Sequence, residues 1–195
     1  GGCLVTSSLP ASWSTRPLSE VARVYSGGTP FRSVHSYWGG STPWITTAEI
    51  DGGDITRARE SITEAGLNSS AAKVAPPGTL LMAMYGQGKT RGKVAILRIS
   101  AAMNQACAAI EPRSSVDQRY LLYYLASKYS EIRLLSNAGS QDNLSGALVK
   151  RIPIVVPPMD EQRAIADSLE DLDGLTKALE RQIVKKQAIK QGLMQ

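Results

Sequence analysis

The segment from residue 160 to 195 contains no proline and only two glycines, Gly174 and Gly192. Apolar residues recur in it at Ile165, Leu169, Leu172, Leu175, Leu179, Ile183 and Leu193, three or four apart with gaps. That spacing places them on one face of an α-helix. An unbroken helix of this length spans about 54 Å at a rise of ~1.5 Å per residue. A domain built from the rest of the chain has a radius of gyration of only about 15 Å. The helix therefore overhangs its domain, and its stripe is expected to pack against something outside it. Thr176 and Lys186 interrupt the stripe, so it is not a perfect coiled-coil seam. Asp160 is the expected N-cap, with Glu161 adding favourable charge at the helix start. Six bases against seven acids leave the segment at −1, which argues against a membrane-surface helix.

Composition changes at Pro157-Pro158. This divides the chain into a domain over residues 1–158 and a helical segment over 159–195. The first part mixes short strand-like and short helical runs. Ser19–Tyr25 reads as a helix turning into a strand, broken by Ser26-Gly27-Gly28-Thr29-Pro30. Trp38–Pro43 reads as a second turn-rich patch before the β-prone Trp44-Ile45-Thr46-Thr47. Thr79–Tyr85 reads as a buried strand, Gly86–Gly92 as a loop and Lys93–Ile99 as the returning strand. Tyr120–Leu135 reads as a helix, and Ile152–Val156 as an extended segment. The expected class is α+β: a mixed, strongly twisted sheet with short helices, then one long C-terminal helix.

Net charge is +5, and its distribution is uneven. Between Glu64 and Glu111 there is no acid, while Lys73, Lys89, Arg91, Lys93 and Arg98 supply five bases, equal to the whole excess. Three of the five, Lys89, Arg91 and Lys93, fall within five residues, in the glycine-rich loop and at the start of the returning strand. A localised basic cluster of this kind suits contact with a phosphate backbone. The loop, carrying Tyr85, Gln87, Lys89, Thr90, Arg91 and Lys93, reads as a hairpin tip able to enter a DNA groove. Gln and Arg can make paired contacts to base edges there. Polar residues of other turns, Thr29, Arg32, Tyr37, Thr46, Thr47, Ser140 and Gln141, complete the candidate contact set.

The same inventory excludes much chemistry. His35 is the only histidine, and Cys3 and Cys107 are the only cysteines. Zinc sites built on paired histidines are excluded, and a disulfide framework is not expected. Two cysteines fit a reducing cytoplasm. No basic-then-apolar leader opens the chain, and Gly1–Cys3 read as a cut end. Gly88-Lys89-Thr90 invites a nucleotide-binding reading, but Ala83 stands where the motif needs glycine, and a strand-like run follows where it needs a helix. Glu49, Asp51 and Asp54 are the one tight acidic group before the long helix, and Asp51-Gly52-Gly53-Asp54 reads as an ordinary turn. No catalytic residue, metal ligand or cofactor site is expected. The rivals are a nucleotide-dependent enzyme using the Gly88-Lys89-Thr90 loop and a protein–protein scaffold.

Several segments, in order, resemble the specificity (S) subunit of Type I restriction-modification enzymes. They are Leu9-Pro10-Ala11-Ser12-Trp13, Pro17–Ala22, Ser26–Pro30 and Pro43-Trp44-Ile45. Ala75–Leu81, Asn104–Ile110, Gly139–Ser145, Ile152–Pro158 and Glu161-Gln162 continue the series. The resemblance implies a non-enzymatic subunit whose recognition domain reads half of a split DNA sequence. It also implies methyltransferase (M) subunits as partners and, in the full enzyme, restriction (R) subunits. A typical S subunit has two recognition domains and two long helices, whereas this chain has one of each. The expectation is either a half-sized subunit that dimerises through its helix or a piece of a longer one. Two-fold pairing of halves implies a palindromic split site.

Overall fold

A computed structural model of the 195-residue chain describes residues 9–86, 89–135 and 143–192. In chain order the elements begin with β1 (Ser14–Pro17), α1 (Leu18–Val21), β2 (Ala22–Ser26), a 3₁₀ turn (His35–Tyr37) and β3 (Trp38–Ile45). A second 3₁₀ turn (Thr47–Glu49), β4 (Asp54–Ile55), β5 (Glu60–Ile62), α2 (Glu64–Asn68) and β6 (Val74–Ala75) follow. Next come β7 (Leu80–Ala83), β8 (Val94–Leu97), β9 (Ala101–Met103) and β10 (Cys107–Pro112). The chain continues through α3 (Gln118–Ser127), α4 (Tyr129–Leu134), α5 (Gly146–Lys150), β11 (Pro153–Val156) and α6 (Met159–Gly192).

The fold is α+β. Its strands form a five-stranded sheet in the order β2-β10-β7-β8-β4, a four-stranded sheet in the order β5-β3-β9-β6, and the pair β1-β11. Both larger sheets are mixed. β4 runs parallel to β8 and β3 parallel to β9, while the other neighbours are antiparallel.

β7, β8 and the start of β10 are buried on both faces, which accounts for their unbroken apolar runs. Strand alternation then sorts their side chains between two cores. Leu80, Met82, Val94, Ile96, Ala108 and Ile110 share one core with residues of α1, α3, α4 and α5. Leu81, Ala83, Ala95, Leu97, Cys107 and Ala109 share the other with Ile45, Ala75, Ala101 and Met103 of the four-stranded sheet. The five-stranded sheet is thus the middle of three layers. Each large aliphatic side chain buried in this way contributes roughly 1.5–3 kcal/mol. Trp44, Ile62, Ala72 and Ala102 form a smaller core, with Trp38 and Leu67 packed against it.

Local structure departs from the sequence expectation in four places. The Gly39-Gly40 patch is not a turn before the strand but a bulge within β3: Trp38 and Thr42 both stand opposite Ile62, and Gly39 takes φ +78°. The helix expected over Tyr120–Leu135 is two helices. Lys128, at φ −88° and ψ 9°, closes α3 and opens α4. Asp160 is not the N-cap, because α6 already begins at Met159 and the amide of Gln162 bonds the carbonyl of Pro158. Asp160 and Glu161 instead place negative charge in the first turn. Finally, the start of the helical stripe is covered by the chain's own domain. Ile165 packs on the first core, Ala166 is fully buried and Leu169 is half-buried.

A candidate nucleic-acid interface

Strand register decides which loops are neighbours. Ser26 at the end of β2 pairs with Ala108. Cys107 at the start of β10 pairs with Ala83 at the end of β7. Ile45 at the end of β3 pairs with Met103 at the end of β9. The segments leaving these positions, 27–37, 46–49, 84–93 and 104–106, therefore issue from one end of the two sheets. Hydrogen bonds tie them together. The Gly28 amide donates to the Met103 carbonyl at 3.0 Å, and the Asn104 amide to the Ile45 carbonyl at 2.9 Å. The Met84 amide donates to the Ala106 carbonyl at 2.9 Å, and Leu144 brings the chain after residue 142 to the same end by donating to the Met84 carbonyl. Trp44, fully buried, donates its indole N–H to the Gly28 carbonyl at 3.0 Å. Gly27 has to be glycine here, since a Cβ would lie 1.9 Å from the Met103 carbonyl oxygen.

The expected hairpin joins β7 to β8. Its base closes by bonds from the Ala83 amide to the Lys93 carbonyl and from the Gly92 amide to the Ala83 carbonyl. Tyr85 and Lys89 are exposed, while Thr90, Arg91 and Lys93 are half-buried. Gln87, Ser140 and Gln141 lie outside the described residues. Because Lys89-Thr90 leads into β8 and not into a helix, the helix N-terminus that a nucleotide phosphate needs is missing after them.

The other candidates differ in how free they are. The Thr29 hydroxyl bonds Gln105 Oε1 across two loops. Thr46 caps the turn that follows it; its hydroxyl donates to Glu49 Oε2 at 2.7 Å and accepts from the Ala48 amide. Thr47 is half-buried in that turn, and Tyr37 is half-buried with its carbonyl accepting from the Thr63 amide. Arg32 is the most committed. Both terminal nitrogens bond Glu60, at 3.0 and 2.8 Å, and its guanidinium lies 3.9 Å from the Trp38 ring centre and 4.8 Å from that of Trp44. Its side chain is nevertheless 54% exposed.

The acidic group is likewise occupied. Glu49 accepts the Thr46 and Arg59 amides at 2.8 and 2.9 Å, Asp51 accepts the Gly53 amide, and Asp54 pairs with Arg98 at 3.1 Å. Among the described residues no cluster of three His, Cys, Asp or Glu side chains is placed to hold a metal. Burial, with a smaller contribution from Glu49, pushes the Cys107 thiol up to about 12, and the thiol donates to Asn104 Oδ1 at 3.2 Å. It is a structural group and a poor nucleophile.

Sequence reasoning missed several residues at this end. Gln105 and Arg59 are exposed there, Arg59 with its amide on Glu49. Phe31 is 71% exposed on the 27–37 loop, an unusual place for a phenylalanine. Arg59 could have been noticed as a polar residue in a turn. Its place beside Glu49 depends on the pairing of β5 with β3, which no local signal encodes.

After packing along α3 through Arg119 and Tyr123, α6 leaves the domain. From Glu170 to Gln191 every residue is exposed. Leu172, Leu175, Leu179 and Ile183 are 51–58% exposed, and Val184 and Ile189 add to the bare apolar surface. No helix among the described residues is long and apolar enough to cross a membrane.

The loop end combines polar turns, exposed basic side chains and few free carboxylates, a chemistry suited to a polyanion that displays hydrogen-bonding groups. Comparison with known proteins points the same way. Residues 10–191 match the family described as Type I restriction modification DNA specificity domain. The chain is 29% identical over 188 residues to the Type I restriction enzyme MjaIX specificity subunit of Methanocaldococcus jannaschii, covering 93% of this chain and 43% of that protein. It is 26% identical over 173 residues to the EcoR124I/EcoR124II specificity subunit of Escherichia coli, covering 86% and 42%. Among solved structures, the HsdS subunit from Thermoanaerobacter tengcongensis superposes with a TM-score of 0.71 at 24% identity, covering 91% of this chain and 41% of that one. A structure from work on complex assembly and conformational transition of the type I R-M system gives 0.76 at 24% identity, covering 95% and 44%. The chain thus spans less than half the length of the proteins it matches. With nearly its whole length matched, this chain belongs to the Type I restriction modification DNA specificity domain family.

Proposed function

We propose that the chain is a non-catalytic recognition module that reads one half of a split double-stranded DNA target. The loop end makes the contacts: the 84–93 hairpin leads, joined by Thr29, Thr46, Thr47 and Tyr37, and Ser140 and Gln141, outside the described residues, belong to the proposed contact set. Lys89 and Lys93 mainly meet phosphates, while Gln87 or Arg91 touches a base edge, because a guanidinium fork or a carboxamide pairs with a base and an ammonium is nearer a point charge. Methyl transfer is left to methyltransferase subunits docked on the module, and restriction subunits join in the full enzyme, in the cytoplasm. The exposed stripe of α6 pairs with the same helix of a second copy, so two modules face DNA with two-fold symmetry and the target is a split palindrome.

The observation that carries this reading is the convergence of polar loops, from segments far apart in sequence, around the acid-free basic hairpin. The test is a salt titration of duplex binding by wild type and by the Lys89→Ala/Arg91→Ala/Lys93→Ala variant. Removing one cation from a phosphate is expected to reduce the log–log salt slope by about one. An unchanged slope and affinity would move the DNA surface elsewhere.

A further inference from the structure

The hairpin is held from outside by two residues of α4. The Tyr129 hydroxyl donates to the carbonyl of Lys89 at 2.6 Å. Arg133 Nη1 donates to the carbonyl of Arg91 at 3.2 Å and to the Tyr129 hydroxyl oxygen at 3.0 Å. Its guanidinium lies 5.4 Å from the centre of the Tyr129 ring. The two residues stand four apart and so share one face of the helix. Ile132, between them, is 1% exposed in the first core and anchors that helix to the sheet. The fit against the hairpin is close: a Cβ on Gly92 would lie 3.2 Å from Arg133 Cγ and 3.6 Å from both Ile132 and Tyr129 side-chain atoms.

Both clamp bonds use main-chain acceptors of the hairpin, so the Lys89 and Arg91 side chains are not consumed by them. None of Lys89, Arg91 and Lys93 forms a salt bridge with a described carboxylate. Arg91 Nε is moreover buried with no hydrogen-bond acceptor among the described residues. A buried donor left unsatisfied is uncommon and costs stability.

We propose that Tyr129 and Arg133 are positioning residues that set sequence discrimination. They hold the hairpin backbone so that its basic and polar side chains meet the duplex in one register. This rests on reading the hairpin as a DNA contact. Affinity for arbitrary DNA depends chiefly on the number of cationic groups near phosphates. Discrimination depends on groups placed to a fraction of an ångström opposite base edges, and a loose loop loses that first. The two properties therefore separate.

The experiment uses the full chain and two charge-preserving variants, Tyr129→Phe and Arg133→Lys, with thermal melting to confirm folding. The probes are a duplex that the wild type enriches from a random-sequence pool and a mixed-sequence duplex of equal length. The expected result is a roughly five- to tenfold fall in the affinity ratio between the two probes, the size of one missing hydrogen bond. The salt slope on mixed-sequence DNA stays unchanged, and trypsin cuts faster after Lys89 and Arg91. A residue that merely stabilised the fold would lower the melting temperature and leave the ratio alone. An unchanged ratio in both variants overturns the positioning role. The Lys89→Ala/Arg91→Ala/Lys93→Ala variant separates the two failures: if it binds both probes as wild type does, the hairpin is not a DNA contact and the underlying reading falls with the inference.

Discussion

The side-chain oxygen of Gln162, in the first turn of α6, accepts the backbone amide of Asp117 at 2.8 Å, 45 residues earlier. Gln162 is 1% exposed, and its amide nitrogen donates to the carbonyls of Pro157 at 2.8 Å and Ser115 at 3.3 Å. Asp117 in turn caps α3 by accepting the Arg119 and Tyr120 amides. One buried side chain thus sets the start of the long helix against the start of α3. Removing it leaves the buried Pro157 carbonyl and the half-buried Asp117 amide without this partner, and a buried group left unpaired costs about 1–3 kcal/mol. Gln162→Ala is expected to lower unfolding free energy by at least about 2 kcal/mol, measured by urea denaturation. A change within about 0.5 kcal/mol would mean that water replaces the side chain.

Arg32 offers a contrast within the candidate contact set. Its fork on Glu60 and its stacking on Trp38 and Trp44 already engage its guanidinium within the chain. Arg32→Ala is expected to cost about 1 kcal/mol of stability. The salt slope of DNA binding is expected to stay at the wild-type value. A slope lowered by about one would show that Arg32 leaves Glu60 for a phosphate.

The exposed stripe makes a prediction about assembly. Leu172 and Leu179 are 58% and 51% exposed in the single chain, so charges placed there disturb little within one copy. Leu172→Glu/Leu179→Glu is expected to abolish self-association in sedimentation experiments while the melting temperature of the monomeric domain changes little. A wild-type chain that stays monomeric at high concentration would mean that the stripe belongs to a different partner.

Alkaline stability follows from Tyr120. Burial, with a smaller contribution from Tyr124, pushes its phenol up to about 12, and the hydroxyl donates to the Val155 carbonyl at 2.7 Å. The folded state favours the protonated phenol. Its contribution is therefore complete below the ordinary tyrosine value of about 10 and is lost as pH rises from there through about 12. Unfolding free energy is expected to be level in this respect up to about pH 9 and to fall above it. In Tyr120→Phe the neutral-pH stability drops by about 1 kcal/mol for the missing hydrogen bond, and the alkaline decline becomes shallower. An unchanged decline would assign it to other groups, such as Tyr123, which is also pushed up to about 12 by burial and by Asp173.

Much of this protein is written locally. Leu80–Ala83 and Val94–Leu97 are strands because short apolar runs buried on both faces have few alternatives. Residues 159–192 form a helix because a proline-free stretch with apolar residues three or four apart gathers them on one helical face. The basic hairpin and the bare stripe are visible in the sequence for the same reason: charge and periodicity are properties of neighbouring residues. What the sequence could not convey is which distant pieces meet. Arg32 looks like a free cation until Glu60 and two tryptophans close around it. Tyr129 and Arg133 look like unremarkable helix residues until the break at Lys128 turns them onto the hairpin. The first turns of α6 look like part of a free stripe until Gln162 and Ile165 are drawn into the domain. Each of these outcomes depends on strand order and layer packing, where contacts between residues far apart in sequence decide the environment of each side chain.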